Sequence, residues 1–401
     1  MIEIFDKAKC CGCTACANVC PRGAIKMIED EEGFKYPYID KKKCIKCELC
    51  DGVCPMKDAK CKSSNNSTIY ACQTKNEEIR SKSTSGGSFY VLASEIVKNN
   101  GIVYAATYDD DNMEVIHKGA RYIPDLEKMC GSKYVQSNLS YSFKEIKQII
   151  SKGQLVLFVG TPCQVNGLIN LIGNKGLEYL YTAELVCYGV PSPGIYKKWI
   201  DYIEKKYNNK IININFRDKK YGYFGTNVKI YFKDGKVLED CRDAKIFLKT
   251  MFSHIGLRPS CYNCPFRNYT RKCDFTLGDF WEIGSYSKKL DDNKGTTKIT
   301  IYTEKGKRLF ESANKNSDFI AIDEDISIKE KNMKIPKSRN EFFIDAKKID
   351  FEENMKKYFH VEKKDFIANN IKPLVIHIPG IKLVIKMLRL KSIKRNLSRK
   401  D

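Results

Sequence analysis

Apolar and polar positions alternate along most of the chain in short blocks, a pattern of many brief strands and helices. Residues 101–110, GIVYAATYDD, are β-branched and aromatic and predict a strand. FKEIKQIISKG (143–153) has helical spacing and closes on a glycine. In QLVLFVGTPCQVNGLINLIG an apolar run, 155–159, predicts a buried strand. It runs into Gly160, Thr161, Pro162, Cys163 and Gln164 and then into an apolar helix. YTAELVCYGVPSPGIYKKWIDYIEKKY repeats the scheme, with a strand over 183–187 and a helix carrying Trp199. IININF and VKIYFKDGKVLED read as strands, the second folding back at Asp234-Gly235. KITIYTEKGKRLFES reads as a strand, a turn at Gly306 and a helix.

The alternation over 80–320 predicts a mixed α/β body. Residues 330–370 are charged and helical in period, with a turn and cap in IPKSRNEFF. DAKCKSSNNSTIYACQTKN is polar and reads as a linker. The predicted organisation is a small domain over 1–60, a linker over 61–78, a body in two parts (79–150 and 151–325) and a charged helical extension over 326–401. One loop stands out. Ser83, Thr84, Ser85, Gly86 and Gly87 precede an amphipathic run from Phe89 to Val97. Free N–H groups at such a helix start favour an anion such as phosphate, and an ordinary helix cap fits the same pattern.

The cysteines change the picture. There are 18, against 4 His. Cys10, Cys13, Cys16 and Cys20-Pro21 follow C-x2-C-x2-C-x3-C-P, and Cys44, Cys47, Cys50 and Cys54-Pro55 repeat it. This is the bacterial two-cluster ferredoxin spacing, in which the fourth cysteine of each run ligates the other cluster. One 4Fe-4S cluster is therefore expected on Cys10, Cys13, Cys16 and Cys54, and a second on Cys44, Cys47, Cys50 and Cys20. Each fourth cysteine is expected to open a short helix, with proline in its first turn. Two zinc knuckles are the competing reading, and two complete eight-cysteine copies with both prolines argue against it. Cys11 reads as a spectator. The expected fold class is thus α+β or mixed α/β, a small dicluster ferredoxin domain followed by a larger mixed sheet and a basic helical tail.

A second group, Cys261, Cys264 and Cys273, supplies one chelating pair, Cys261-x2-Cys264, and needs partners from elsewhere. Cys163 and Cys187 stand at predicted strand ends, where separate α/β units converge. Buried structural cysteines fit the same positions, and Cys273 is an alternative ligand.

Six ordered segments carry a resemblance: STSGGSF, GSKYVQS, VGTPCQVNGL, ELVCYGVPSP, RPSCYNCPF and DFTLGDFW. With them the chain resembles the coenzyme F420-reducing hydrogenase beta-subunit family, which includes formate dehydrogenase beta subunits and plant hydroxymethyl-chlorophyll reductase. The resemblance implies an FAD oxidoreductase whose iron–sulfur clusters exchange single electrons with the flavin, which in turn serves a small-molecule substrate. It implies flavin contacts from Ser83, Ser85, Gly86, Gly87, Thr161 and Gln164. Lys133 would be a cation beside reduced flavin. Cys163, Cys187, Cys261 and Cys264 would hold a third 4Fe-4S cluster. Asp279 and Trp281 would line the site, and a packing role fits them equally. Glu282 replaces a glycine that the family often carries, and no residue points to a deazaflavin. Versions with a fused ferredoxin segment resemble enzymes encoded beside polysaccharide-modifying proteins, so polysaccharide biosynthesis is the setting suggested.

Charge and hydropathy bear on partners. The net charge is +21, yet no basic nucleic-acid module occurs, and nucleic acid is not an expected partner. No apolar run reaches the length of a membrane span and no secretory pattern opens the chain, so a cytoplasmic protein is expected. PGIKLVIKMLRLKSIKRNLSRKD has an apolar face and basic flanks. It suits either docking on the body or peripheral contact with an anionic membrane, at the inner membrane face. The expected partner is a redox protein such as a ferredoxin or a dehydrogenase subunit. The competing functional reading is an electron-transfer subunit with no substrate site of its own.

Overall fold

The computed structural model describes residues 2–57, 67–224, 227–267, 271–323 and 333–359. The basic C-terminal segment lies outside them. The N-terminal unit, hereafter the head, holds α1 (Ala15–Val19), β1 (Ile25–Glu29), β2 (Lys35–Ile39) and α2 (Leu49–Gly52). β1 and β2 form an antiparallel hairpin. The fourth cysteines do not open helices. Cys20 closes α1, and Pro21 and Pro55 enter single turns, with Gly23 N–H donating to Cys20 O and Lys57 N–H to Cys54 O. Proline after cysteine suits a turn as well as a helix start.

The body is built on β3 (Thr68–Thr74), β4 (Ile102–Tyr108), β5 (Val115–Ala120), β6 (Val156–Gly160), β7 (Leu180–Leu185), β11 (Phe275–Asp279), β12 (Thr297–Ile301) and β13 (Ser317–Ile322). They lie in the order β13-β3-β12-β11-β7-β6-β4-β5. The neighbours β4, β6, β7 and β11 are mutually parallel, and antiparallel strands flank them on both sides. A separate sheet holds β8 (Ile211–Asp218), β9 (Asn227–Phe232) and β10 (Val237–Glu239), with Gly235 at positive φ in the β9–β10 turn.

The helices are α3 (Glu77–Lys82), α4 (Ser88–Lys98), α5 (Ile123–Met129), α6 (Ser142–Ile150), α7 (Pro162–Ile172), α8 (Pro193–Tyr207), α9 (Arg242–Phe252), α10 (Pro259–Tyr262), α11 (Glu304–Ala313), α12 (Arg339–Lys348) and α13 (Phe351–Tyr358). Alternate residues of the central strands feed two cores. Ile102, Tyr104, Val156 and Phe158 meet α6 and α7 on one face. Val103, Ala105, Leu157 and Val159 meet α4, α5 and α11 on the other. Burial on both faces explains why these strands read as continuous apolar runs. A third core packs α8, α9, α12 and α13 against β8 and β9 around Trp199, whose ring stacks on Phe247 at 5.3 Å.

Two expectations are corrected here. The segment read as a linker contains β3, which pairs with both β12 and β13. Its polar upstream run hid a strand in TIYACQT. Gly306 is not a turn: it lies inside α11, packed 3.2 Å from Asp274 Cβ where a side chain would stand.

Candidate iron–sulfur and flavin site

The two head loops share one backbone scheme. Gly12 and Thr14 take positive φ, and so do Lys46 and Glu48 at the same offsets from Cys10 and Cys44. Three of these four are not glycine, and a left-handed residue costs about 1 kcal/mol. Such positions turn successive N–H groups toward an anionic cluster. Cys10, Cys13, Cys16 and Cys54 border one hollow with Ile2, Ile4, Met27 and Met56. Cys20, Cys44, Cys47 and Cys50 border another with Ile25, Ile39, Ile45 and Leu49. The structure thus brings together the two expected quartets, each with its exchanged fourth cysteine. The chemistry of the donors fits a cationic core. Burial, then Cys10 and Cys54, pushes the Cys16 thiol up to about 12, so close-set thiolates here need bound metal.

The body cysteines converge at the carboxyl ends of the parallel strands, where open α/β sheets place their sites. Cys163 stands in the first turn of α7, Cys187 two residues beyond β7, Cys261 in α10 and Cys264 just after it. Burial and then Cys261, Cys163 and Cys264 drive the Cys187 thiol well above its ordinary value. Burial, with Cys163 and Cys264, pushes Cys261 up to about 12, and burial, with Cys163, pushes Cys264 up to about 11. Cys273 stands apart from this set, buried beside Glu184, Arg271 and Thr276. Cys11, read as a spectator, packs at the junction of the two sets, in one buried cluster with Cys13 and against Cys163. Its position between two ligands in the chain gave no signal of this.

Head and body share a seam. α7 approaches with Gly167, where a Cβ would stand 2.9 Å from Cys13 Sγ. Gly33 and Gly194 meet backbone to backbone, leaving no room for a Cβ on Gly33 beside Gly194 N. Arg339 forks onto Glu32 at 2.7 and 2.5 Å, and Ser192 Oγ donates to Glu32 O.

The expected flavin residues are distributed as follows. Ser83 Oγ donates to Ile79 O and Ser85 Oγ to Thr296 O at 2.6 Å. Gly86 N–H donates to Thr297 Oγ1, and no side chain fits there, since a Cβ would collide with Cys72 O. Gly87, at φ +91, caps α4. Thr161 and Gln164 form a capping box on α7, and Gln164 Nε2 donates to Ser137 Oγ. Segment 131–137 ties these together, because Ser132 N–H also donates to Thr84 Oγ1. Lys133 stands at the end of α5, where its ammonium donates to the carbonyls of Lys128, Met129, Cys130 and Gly131, and burial lowers its pKa to about 8. With its donors engaged there, it serves the helix end.

Other cations stand beside Ser85. Lys219 Nζ donates to Arg80 O and Ser85 O, and burial, then Arg80, lowers its pKa to about 7. Arg217 donates to Tyr134 OH and Asp279, both at 3.2 Å, and covers the Trp281 ring, which stacks on Tyr223 at 4.8 Å. In the sequence Arg217 and Lys219 were two charges among many at the end of a strand.

Residues 153–325 match the family described as the C terminus of the coenzyme F420 hydrogenase/dehydrogenase beta subunit. Residues 9–57 match the 4Fe-4S dicluster domain. No curated protein matches. Among solved structures, a chain of the xenon-derivatised F420-reducing NiFe hydrogenase complex from Methanosarcina barkeri is similar, at 18% identity and a TM-score of 0.45, covering 75% of this chain and 92% of that one. Residues 153–325 thus carry the C-terminal region of a coenzyme F420 hydrogenase/dehydrogenase beta subunit, behind a 4Fe-4S dicluster domain near the N-terminus.

Proposed function

We propose that the protein is an iron–sulfur flavoprotein oxidoreductase in which the head relays electrons to or from FAD in the body. The observation that carries this reading is the junction at Cys11, which packs with Cys13 of one quartet and Cys163 of another. Cys163, Cys187, Cys261 and Cys264 would hold a third 4Fe-4S cluster, and clusters this close supply one-electron transfer between head and body. Gly86 and Gly87 at the start of α4, with Lys219, Arg217 and Trp281 beside them, would hold the flavin. Lys219 and Arg217 would oppose its negative charge, and Trp281 would cover a ring face. FAD converts single electrons to a pair for a small-molecule substrate, for which polysaccharide biosynthesis is the setting suggested by resemblance.

A second reading, an electron-transfer subunit docked to a catalytic partner, is favoured by exposed Leu185, Val186 and Tyr188 beside Cys187. One measurement separates them. Anaerobically purified protein should hold about twelve irons, as three four-iron clusters, and FAD near one per chain. Eight irons without flavin would instead support the second reading. The C-terminal segment would rest on anionic membrane, and equal flotation of the full chain and a chain ending at residue 379 with anionic vesicles would end that idea.

A further inference from the structure

Arg258 has no exposed surface, and its guanidinium lies between the head and the body cysteines. Nε donates to Cys10 O at 2.8 Å, Nη1 to Gln136 Oε1 at 2.9 Å, and Nη2 to Lys35 O at 3.0 Å and to Cys10 Sγ at 3.6 Å. The guanidinium covers the Tyr36 ring at 4.3 Å. Its own backbone belongs to the body: its N–H donates to Val190 O, and its carbonyl accepts from Cys261 N–H. Gly12 is packed against it, since a Cβ there would be 2.8 Å from Nη1.

A guanidinium stays charged in any protein environment. A buried charge demands a counter-ion, yet among the described residues Arg258 pairs with no carboxylate. The titratable groups around it are the Cys10 thiol first, then the Tyr36 phenol, then the thiols of Cys11 and Cys261. We infer that Arg258 is the built-in counter-ion of the Cys10, Cys13, Cys16 and Cys54 cluster and holds that cluster's reduction potential up. A cubane with four thiolates carries one more negative charge after taking up one electron. A fixed cation at a ligand sulfur therefore stabilises the reduced form more than the oxidised form. Net charge and hydrogen bonds to the sulfurs are two of the terms that set such potentials, and Arg258 supplies both. It acts through Cys10 and is a positioning and tuning residue. The consequence is directional: the head cluster nearest the body becomes an electron well at the seam, retaining an electron until the body accepts it.

This inference rests on Cys10 being a cluster ligand, and the test separates the two claims. Whole protein with its iron reconstituted is titrated under anoxic conditions, and the cluster signals are followed by electron paramagnetic resonance. Arg258→Gln should lower one head-cluster midpoint by at least a tenfold change in the reduction equilibrium, 59 mV for one electron, leaving the other head midpoint in place. Arg258→Lys should restore most of the shift. Where Arg258→Gln fails to retain iron, Gln136→Glu decides, because it sets a carboxylate against Nη1 and should lower the same midpoint. A change below threefold in whichever variant keeps its iron overturns the inference. Loss of one cluster signal on Cys10→Ala supports the ligand assignment; all head signals persisting there would overturn that assignment itself.

Discussion

The His117 ring is buried against Phe158, at 5.2 Å between centroids, and its Nε2–H donates to Val159 O at 3.0 Å. That bond fixes the tautomer and leaves Nδ1 buried without a partner. Burial, with the Lys133 ammonium opposing a second charge, lowers its pKa to about 4. The folded state therefore binds fewer protons than the unfolded state between the ordinary histidine value and 4. Stability is complete above about pH 6.5 and falls as pH drops toward 4. From pH 7 to 5.5 the loss through this one group is about 1 kcal/mol. His117→Leu should remove that part of the acid sensitivity. Denaturant midpoints at the two pH values would show it, and an unchanged pH difference would contradict the assignment of a neutral buried ring.

At the scale of elements, α7 shows how a helix start is fitted to a site. Pro162 occupies the first turn, Thr161 and Gln164 close the capping box, and Cys163 is carried between them. Losing the cap, in Thr161→Ala, costs about 1 kcal/mol. The decisive position is one turn further on. Gly167 has no room for a Cβ because Cys13 Sγ is there. Gly167→Val should therefore push the helix off the head and lower the iron content of the cluster that Cys13 serves, while the quartet of Cys20, Cys44, Cys47 and Cys50 keeps its own. Iron per chain and the cluster signals of the variant would check this.

The same helix marks the limit of what the sequence disclosed. Strand β6 and α7 were legible because a run of five apolar residues buried on both faces has little else to become. The head quartets were legible because ligand spacing is local chemistry. Cys11 and Gly167 were not, because their roles arise only when residues about 150 apart in the chain meet. Nor was β3: its place in the sheet comes from β12 and β13, more than 200 residues later. Gly306 misled for a related reason, since a glycine that makes room for a neighbouring backbone looks in sequence like one that makes a turn.

At the scale of the molecule, the two head quartets have different surroundings. The one holding Cys10 faces the body across a seam closed by Glu32, Arg339, Gly33 and Gly194. The one holding Cys47 faces outward: Cys47 is exposed, Ile45 is 60% exposed and Leu49 48%. Arg22 and Lys46 line that apolar tip together with one acid, Glu48, and Lys41, Lys42 and Lys43 precede it in the chain; all are exposed. An apolar contact with a predominantly basic rim is suited to brief encounters with an oppositely charged carrier, steered at a distance and released easily. Electrons exchanged with a partner should therefore cross at this tip, and the partner should be acidic. Lys41→Glu combined with Lys42→Glu alters charge without touching a cysteine. At low salt it should slow reduction by an acidic ferredoxin about tenfold, the scale of electrostatic steering. The gap should close as ionic strength shortens the reach of the charges. Reduction by a small neutral mediator should be unchanged in the variant, which separates steering from damage to the cluster. Equal rates for the variant and the natural chain at low salt would place the entry point elsewhere on the surface.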